Sequence, residues 1–173
     1  MSARCVLVGR FCPVHAGHEA VIRAMIERFG QDSCLVGIGS SNHAVSIRHF
    51  FSYEERRRFL LHVFPGLNVF GLPDYPTDEE WMLALDDILR VSGSAPHDMT
   101  FFGGCQEEVD FFYRFGRKVE IMNRFDGSTP RISATEVRDA LIRERPLEGL
   151  LNGALTHTVR ACFQKKWEAF KKM

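Results

Sequence analysis

Arg4-Cys5-Val6-Leu7-Val8-Gly9-Arg10-Phe11-Cys12-Pro13-Val14-His15-Ala16-Gly17-His18 is the stretch on which the fold turns. Arg4 to Val8 is a short apolar run that ends at Gly9, and it reads as a buried strand. From His18 onward the period changes. Val21, Ile22, Met25, Ile26 and Phe29 recur at helical spacing, and Gly30 stops the run as a C-cap.

The same alternation continues outward. Cys34 to Ile38 reads as a second strand, ended by Gly39-Ser40-Ser41. Ser52-Tyr53-Glu54-Glu55 is a capping box and opens a helix to about Val63, which Pro65-Gly66 breaks. Leu67 to Leu72 reads as a third strand, and Thr77-Asp78-Glu79-Glu80 caps the helix that carries Trp81, Leu85 and Ile88. Met99 to Phe102 forms a fourth strand ending at Gly103-Gly104, Glu107 to Phe115 a helix, and Val119 to Met122 a fifth strand. Ser133-Ala134-Thr135-Glu136 is a third capping box, and one or two further helices fill Pro146 to the end. Strand and helix thus alternate throughout, which predicts an α/β fold: a doubly wound parallel sheet, Rossmann-like, with C-terminal helices. No repeat or linker interrupts the chain. Residues 1–173 read as one domain, with a core over 4–143 and a helical tail over 146–173. Ligands of such a sheet bind beyond the carboxyl ends of its strands. The loops after Val8, Ile38, Leu72 and Phe102, and the segment before Ser133, therefore hold the expected site.

Composition narrows the function classes. The formal net charge is +0, so no global field recruits nucleic acid or an anionic membrane. Most basic residues are Arg, which grips phosphate bidentately, and Lys165, Lys166, Lys171 and Lys172 cluster in the tail. Five Cys in odd number, with no C-x-x-C pair, suggest neither a disulfide framework nor a zinc site and fit a reducing cytoplasm. The first apolar run is too short for a signal peptide or a membrane span.

Two segments carry chemistry. His15 and His18 are three apart, with Gly17 between them, where a loop enters a helix. Free N–H groups and the helix dipole favour phosphate there, and Gly17 lets a nucleotide approach the backbone. Imidazoles can hydrogen-bond a triphosphate and stabilise developing charge. Near the other end, Arg131-Ile132-Ser133-Ala134-Thr135-Glu136-Val137-Arg138 offers a second helix N-terminus with two hydroxyls and an Arg one turn inside.

Taken together, these segments resemble the H-x-G-H and I-S-S-T-x-x-R signatures of the nucleotidyltransferase superfamily, with Ala134 in place of the second Ser. The resemblance narrows to the archaeal-type nicotinamide-mononucleotide adenylyltransferases, which also occur fused to Nudix domains. Gly9 to His15 is similar to that family's G-R-[FM]-Q-P-[FV]-H opening. Ile38-Gly39-Ser40-Ser41 and Ser46 to Arg56 resemble its I-G-S-A … S-I-[RK]-x-P-[FW]-T-x-x-E-R, and Asp74 with Trp81 its D-x-x-x-N-x-x-W segment. The similarity covers residues 4 to about 143. It implies that ATP and nicotinamide mononucleotide (NMN) react to give NAD and pyrophosphate, without nucleic acid or membrane as partner. His15, His18 and Arg138 would be catalytic. Gly9, Arg10, Phe11, Gly17, Gly103, Ser133 and Thr135 would bind ATP. Ser40, Arg48, Asp74, Asp78 and Trp81 would bind the acceptor. Mg²⁺ would bridge phosphate oxygens and keep most of its waters, so no protein metal cage is expected. Two departures stand out: Cys12 replaces the usual Gln, and Asp78 the usual Asn. A carboxylate accepts hydrogen bonds but cannot donate, so Asp78 favours an amidated pyridine over nicotinate, or marks a different pyridine-like ligand.

Other residues read as scaffold. Phe101-Phe102 and Phe111-Phe112 are expected in the core, and Arg56-Arg57-Arg58 on a solvated helix face. His43, His49, His62, His97 and His157 have no partner at ligand spacing. Two rival functions remain. One is an adenylyl- or cytidylyltransferase acting on phosphopantetheine or a polyol phosphate, which Trp81 with Asp74 opposes. The other is a non-catalytic nucleotide sensor, which both His and Arg138 oppose. The sequence leaves open the exact acceptor, the oligomeric state (a homo-oligomer included), membership of a larger fusion, and the role of the Lys-rich tail.

Overall fold

The structure, a computed structural model, describes residues 3–43, 45–122 and 130–172. Five strands form one sheet: β1 (Cys5–Gly9), β2 (Cys34–Ile38), β3 (Asn68–Gly71), β4 (Thr100–Gly103) and β5 (Lys118–Ile121). Every neighbouring pair is parallel, and the spatial order is β3-β2-β1-β4-β5. The helices are α1 (Ala16–Phe29), α2 (Tyr53–Val63), α3 (Asp78–Val91), α4 (Gln106–Arg114), α5 (Ala134–Ile142) and α6 (Gly153–Phe170). This is the doubly wound α/β sheet that the alternation predicts.

Period-2 alternation along the strands splits the core in two. Cys5, Leu7, Val36 and Phe102 face one way and pack with α1, α2, α5 and α6. Val6, Leu35 and Phe101 face the other way and pack with α3 and α4. The tail is part of the packing, because Leu155, Val159 and Phe163 of α6 are buried in the first cluster. A single helix fills the end of the chain where one or two were expected.

Element edges shift by a residue or two from the sequence reading. The largest change is at α1, which begins at Ala16 rather than His18 because His15 takes the N-cap. Its imidazole Nδ1 accepts the backbone N–H of His18 at 3.4 Å, doing what Ser or Asp more often does. The three capping boxes at Ser52, Thr77 and Ser133 are all formed, each with the Glu three residues on reaching back. Chain direction reverses its path across the sheet between β1 and β4, and the crevice outside the carboxyl ends opens at that switch point.

Candidate functional site

Two clefts meet over the end of β1. The first is cationic. It is lined by Arg10, Phe11, His15, His18, Arg48 and Arg138, and by the Ser133-Ala134-Thr135 turn that starts α5. It brings together two helix N-termini that lie more than a hundred residues apart in sequence, those of α1 and α5. The positive ends of both helix dipoles favour an anion here before any side chain contributes.

The side chains are held in place. His15 is buried, and its ring stacks on that of His18 with centroids 3.7 Å apart. With Nδ1 engaged as the acceptor for the His18 N–H, neutral His15 carries its proton on Nε2. The Phe11 ring also packs against His18, ring centroids 4.6 Å apart. Arg138 donates to the Cys12 carbonyl at 2.8 Å and to the Thr135 hydroxyl at 3.1 Å. Burial pulls the pKa of Arg138 down, and the positive charges of Arg10 and Arg48 push the same way. Three guanidiniums converging with little countercharge is an arrangement that a polyanion relieves.

The second cleft, of about 520 Å³, is apolar-walled. Trp81 from α3 and Phe111 from α4 meet edge-to-face in its wall, centroids 5.5 Å apart. Ser40, Asp74 and Asp78 also line it. The Ser40 hydroxyl donates to Asp74 at 3.1 Å, and Arg114 donates to Asp78 at 3.3 Å. Gly9, Arg10 and Glu108 line both clefts and form the wall between them. Glu108 is steadied by the Gly104 N–H, which donates to it at 2.7 Å.

Beneath the shared wall lies Arg56, 1% exposed. The solvated-face reading of Arg56 is wrong. Its guanidinium donates to the carbonyls of Arg10 at 2.8 Å, Gly39 at 2.8 Å and Ser40 at 3.0 Å. It thereby ties the loop after β1 to the loop after β2. Both loops hold a non-glycine residue in the left-handed region, Phe11 at φ 48° and Ser40 at φ 50°. Such backbone persists only where the surroundings over-determine it, and Arg56 is the group that does so here. Its sequence signal was present in the E-R of the family pattern, but an Arg triplet on a helix reads as surface.

Several further residues fall elsewhere than expected. Arg48 lines the cationic cleft, not the apolar one. Phe111 is only half-buried and belongs to a cleft wall, whereas Phe101 and Phe102 are core, and Phe112 is buried yet also reaches that wall. Gly17 and Gly103 line neither cleft. A Cβ on Gly17 would meet the His15 ring at 3.1 Å, and one on Gly103 would meet Val109 at 2.8 Å, so each glycine makes room for its neighbour's packing. His43 has a partner after all: its Nε2 lies 2.6 Å from Asp74 Oδ2, and its ring stacks on His49. Burial, then His43 and nearby guanidiniums, hold the His49 pKa below the ordinary histidine value. Of the segment before Ser133, residues 123–129 lie outside the described residues.

A family model described as cytidylyltransferase-like matches residues 6–140. The nicotinamide-nucleotide adenylyltransferase of Pyrococcus furiosus is 28% identical over 165 residues, which is 91% of this chain and 82% of that protein. The protein of the same name from Pyrococcus horikoshii is 27% identical over 164 residues, with the same shares. Among solved structures, a bifunctional NMN adenylyltransferase/ADP ribose pyrophosphatase from Francisella tularensis, complexed with AMP and a manganese ion, superposes with a TM-score of 0.70. That likeness covers 95% of this chain at 20% identity and is one of fold. The chain spans about half the length of that protein, at 50%. With 135 consecutive residues inside the family model, from strand β1 to helix α5, this chain belongs to the cytidylyltransferase-like family.

Proposed function

We propose that the chain is a nicotinamide-nucleotide adenylyltransferase, joining ATP to NMN to give NAD and pyrophosphate. The observation that carries this reading is the shared wall: a cationic cleft lined by Arg10, Arg48 and Arg138 and an aromatic slot open onto the same residues, Gly9 and Arg10. A reaction that joins two nucleotides needs that adjacency. The names of the two archaeal relatives support the choice of acceptor.

ATP would lie with its phosphates across the N-termini of α1 and α5. The NMN phosphate oxygen attacks the α-phosphorus in line, a new P–O bond forms, and the bond to the β-phosphate bridging oxygen breaks as pyrophosphate leaves. No protein nucleophile is required, so the catalytic work is positioning and charge stabilisation. His15 presents Nε2–H, and His18 lies stacked against it; both would face the α-phosphoryl oxygens, where negative charge grows. Arg10 and Arg138 would hold the departing β- and γ-phosphates, with Arg48, Ser133 and Thr135 completing the set.

A divalent cation, Mg²⁺ in this reading, would arrive on the triphosphate and shield its charge. Among the described residues no three His, Cys, Asp or Glu cluster as a metal cage, and Glu108 is the one carboxylate lining the cationic cleft. Glu108 is therefore the protein group that would face the ion, directly or through its waters. Trp81 would stack on the pyridine ring, with Asp74 and Ser40 toward the ribose. Residues 1–173 are proposed to act as one nucleotidyltransferase domain. Among the described residues no helix is long and apolar enough to cross a membrane, and we place the enzyme in the cytoplasm.

The test is direct. The protein is incubated with ATP, Mg²⁺ and a panel of phosphorylated acceptors, and pyrophosphate release is measured. Release with NMN and appearance of NAD is the expected result. Release only with phosphopantetheine or a polyol phosphate would move the acceptor half of the assignment, and release with none would remove the catalytic reading.

A further inference from the structure

We infer that Arg114, on α4, is a specificity-determining residue for the acceptor: together with Asp78 it forms a donor–acceptor edge that reads the carbonyl substituent of the pyridine ring. The inference rests on the acceptor reading above and goes beyond it, because Asp78 alone would predict a different selectivity.

Arg114 reaches Asp78 across 36 residues of sequence, with Nη2 3.3 Å from Oδ2. Its guanidinium carbon sits 5.4 Å from the ring centroid of Phe111 and 6.0 Å from that of Phe115. Phe111 in turn meets Trp81 edge-on in the cleft wall. The aromatic slot and the ion pair are thus one assembly: the ring that would flank the ligand is the ring that seats the guanidinium. Neither charge is there for stability. The pair is largely open to solvent, with side-chain exposures of 63% for Arg114 and 58% for Asp78, and such pairs contribute little to folding.

The chemistry of the pair matches a primary amide. Asp78 only accepts hydrogen bonds, and Arg114 only donates them. A carboxamide offers one of each: its NH2 donates to Asp78, and its carbonyl oxygen accepts from Arg114. A ring carboxylate offers two acceptors and a negative charge. It gains from Arg114 and is repelled by Asp78, so the two effects oppose each other. With both residues present, NMN is preferred and nicotinate mononucleotide is a weaker but real substrate. Each residue then pushes the selectivity in its own direction.

The experiment measures kcat/KM for the two mononucleotides on wild type, Arg114→Gln and Asp78→Asn, with the KM for ATP followed in each protein. Arg114→Gln keeps a donor for the amide and removes the charge that tolerates nicotinate. It should raise the NMN-to-nicotinate ratio about tenfold, the scale of one charge-assisted hydrogen bond. Asp78→Asn keeps an acceptor and removes the repulsion, so it should lower the ratio by a similar factor. Arg114→Lys, which keeps the charge, should hold the ratio closer to wild type than Arg114→Gln does. Movement in opposite directions supports the inference. A wild type that uses NMN, with a ratio that stays within about twofold in both neutral variants, overturns it and leaves the acceptor reading standing. A KM for ATP that moves as far as the acceptor's marks general damage and also overturns it. A wild type that uses neither mononucleotide overturns both the inference and the acceptor reading.

Discussion

The two clefts share a wall and are built by different means. The cationic cleft is made of backbone: two helix N-termini, each beginning in a cap that its own sequence supplies, His15 for α1 and Ser133 for α5. Most of its side chains lie within a turn or two of those caps, and Arg48 and Glu108 join them from elsewhere in the chain. The apolar cleft is made of side chains that arrive from separate elements, Trp81 and Asp78 from α3, Phe111 from α4 and Asp74 from the loop after β3, with Arg114 of α4 paired to Asp78 beside it. A phosphate site can therefore be written locally, whereas a ring-binding slot is assembled only when helices dock. The two should also fail differently: damage to one should show in ATP use, damage to the other in acceptor use.

The largest effect is expected from His18→Ala. If His18 contacts the α-phosphoryl mainly in the transition state, kcat should fall about 10²–10³-fold with little change in ATP binding. Near-normal turnover would take His18 out of the chemistry and reduce the cationic cleft to a binding site. Arg56→Met should break the comparison itself, because it removes a donor from three carbonyls under both clefts. We expect a loss of about 2–4 kcal/mol of stability, read by denaturant unfolding, and a rise in both KM values. A variant that lost only one substrate would show that Arg56 serves one cleft.

Smaller and more selective effects follow. Arg138→Lys keeps the charge but loses the fork that spans the Cys12 carbonyl and Thr135. The KM for ATP should rise about tenfold while that for the acceptor stays within error. An unchanged ATP profile would mean that Ser133 to Arg138 only caps a helix. Trp81→Ala should weaken NMN and nicotinate mononucleotide alike by several-fold, the loss of one aromatic stacking partner, with ATP binding intact. Equal weakening of ATP would show that the aromatic slot holds adenine instead, exchanging the roles of the two clefts.

Much of this molecule is legible without coordinates. Hydrophobic period separates strand from helix, and period is a property of neighbours in the chain. The three capping boxes are equally local, since Ser52, Thr77 and Ser133 each bond a Glu only three residues away. The two helix N-termini proposed to hold phosphate are legible for the same reason, since His15 and Ser133 cap their own helices. What a residue does after folding, when its partner is remote, was not legible. Arg56 sits in a triplet that reads as surface, yet it is buried because the β1 and β2 loops close over it with three carbonyls that offset its desolvation. Phe111 has the same composition signal as Phe112, yet Phe112 is buried against Phe101 while Phe111 is left half-buried, edge-on to Trp81. Asp78 was visible as a lone carboxylate, but the Arg114 that completes it comes from the next helix. Local sequence determines period and capping because those energies are exchanged within a turn of chain. Burial and pairing belong to the tertiary structure, because both depend on which distant groups replace water around a side chain.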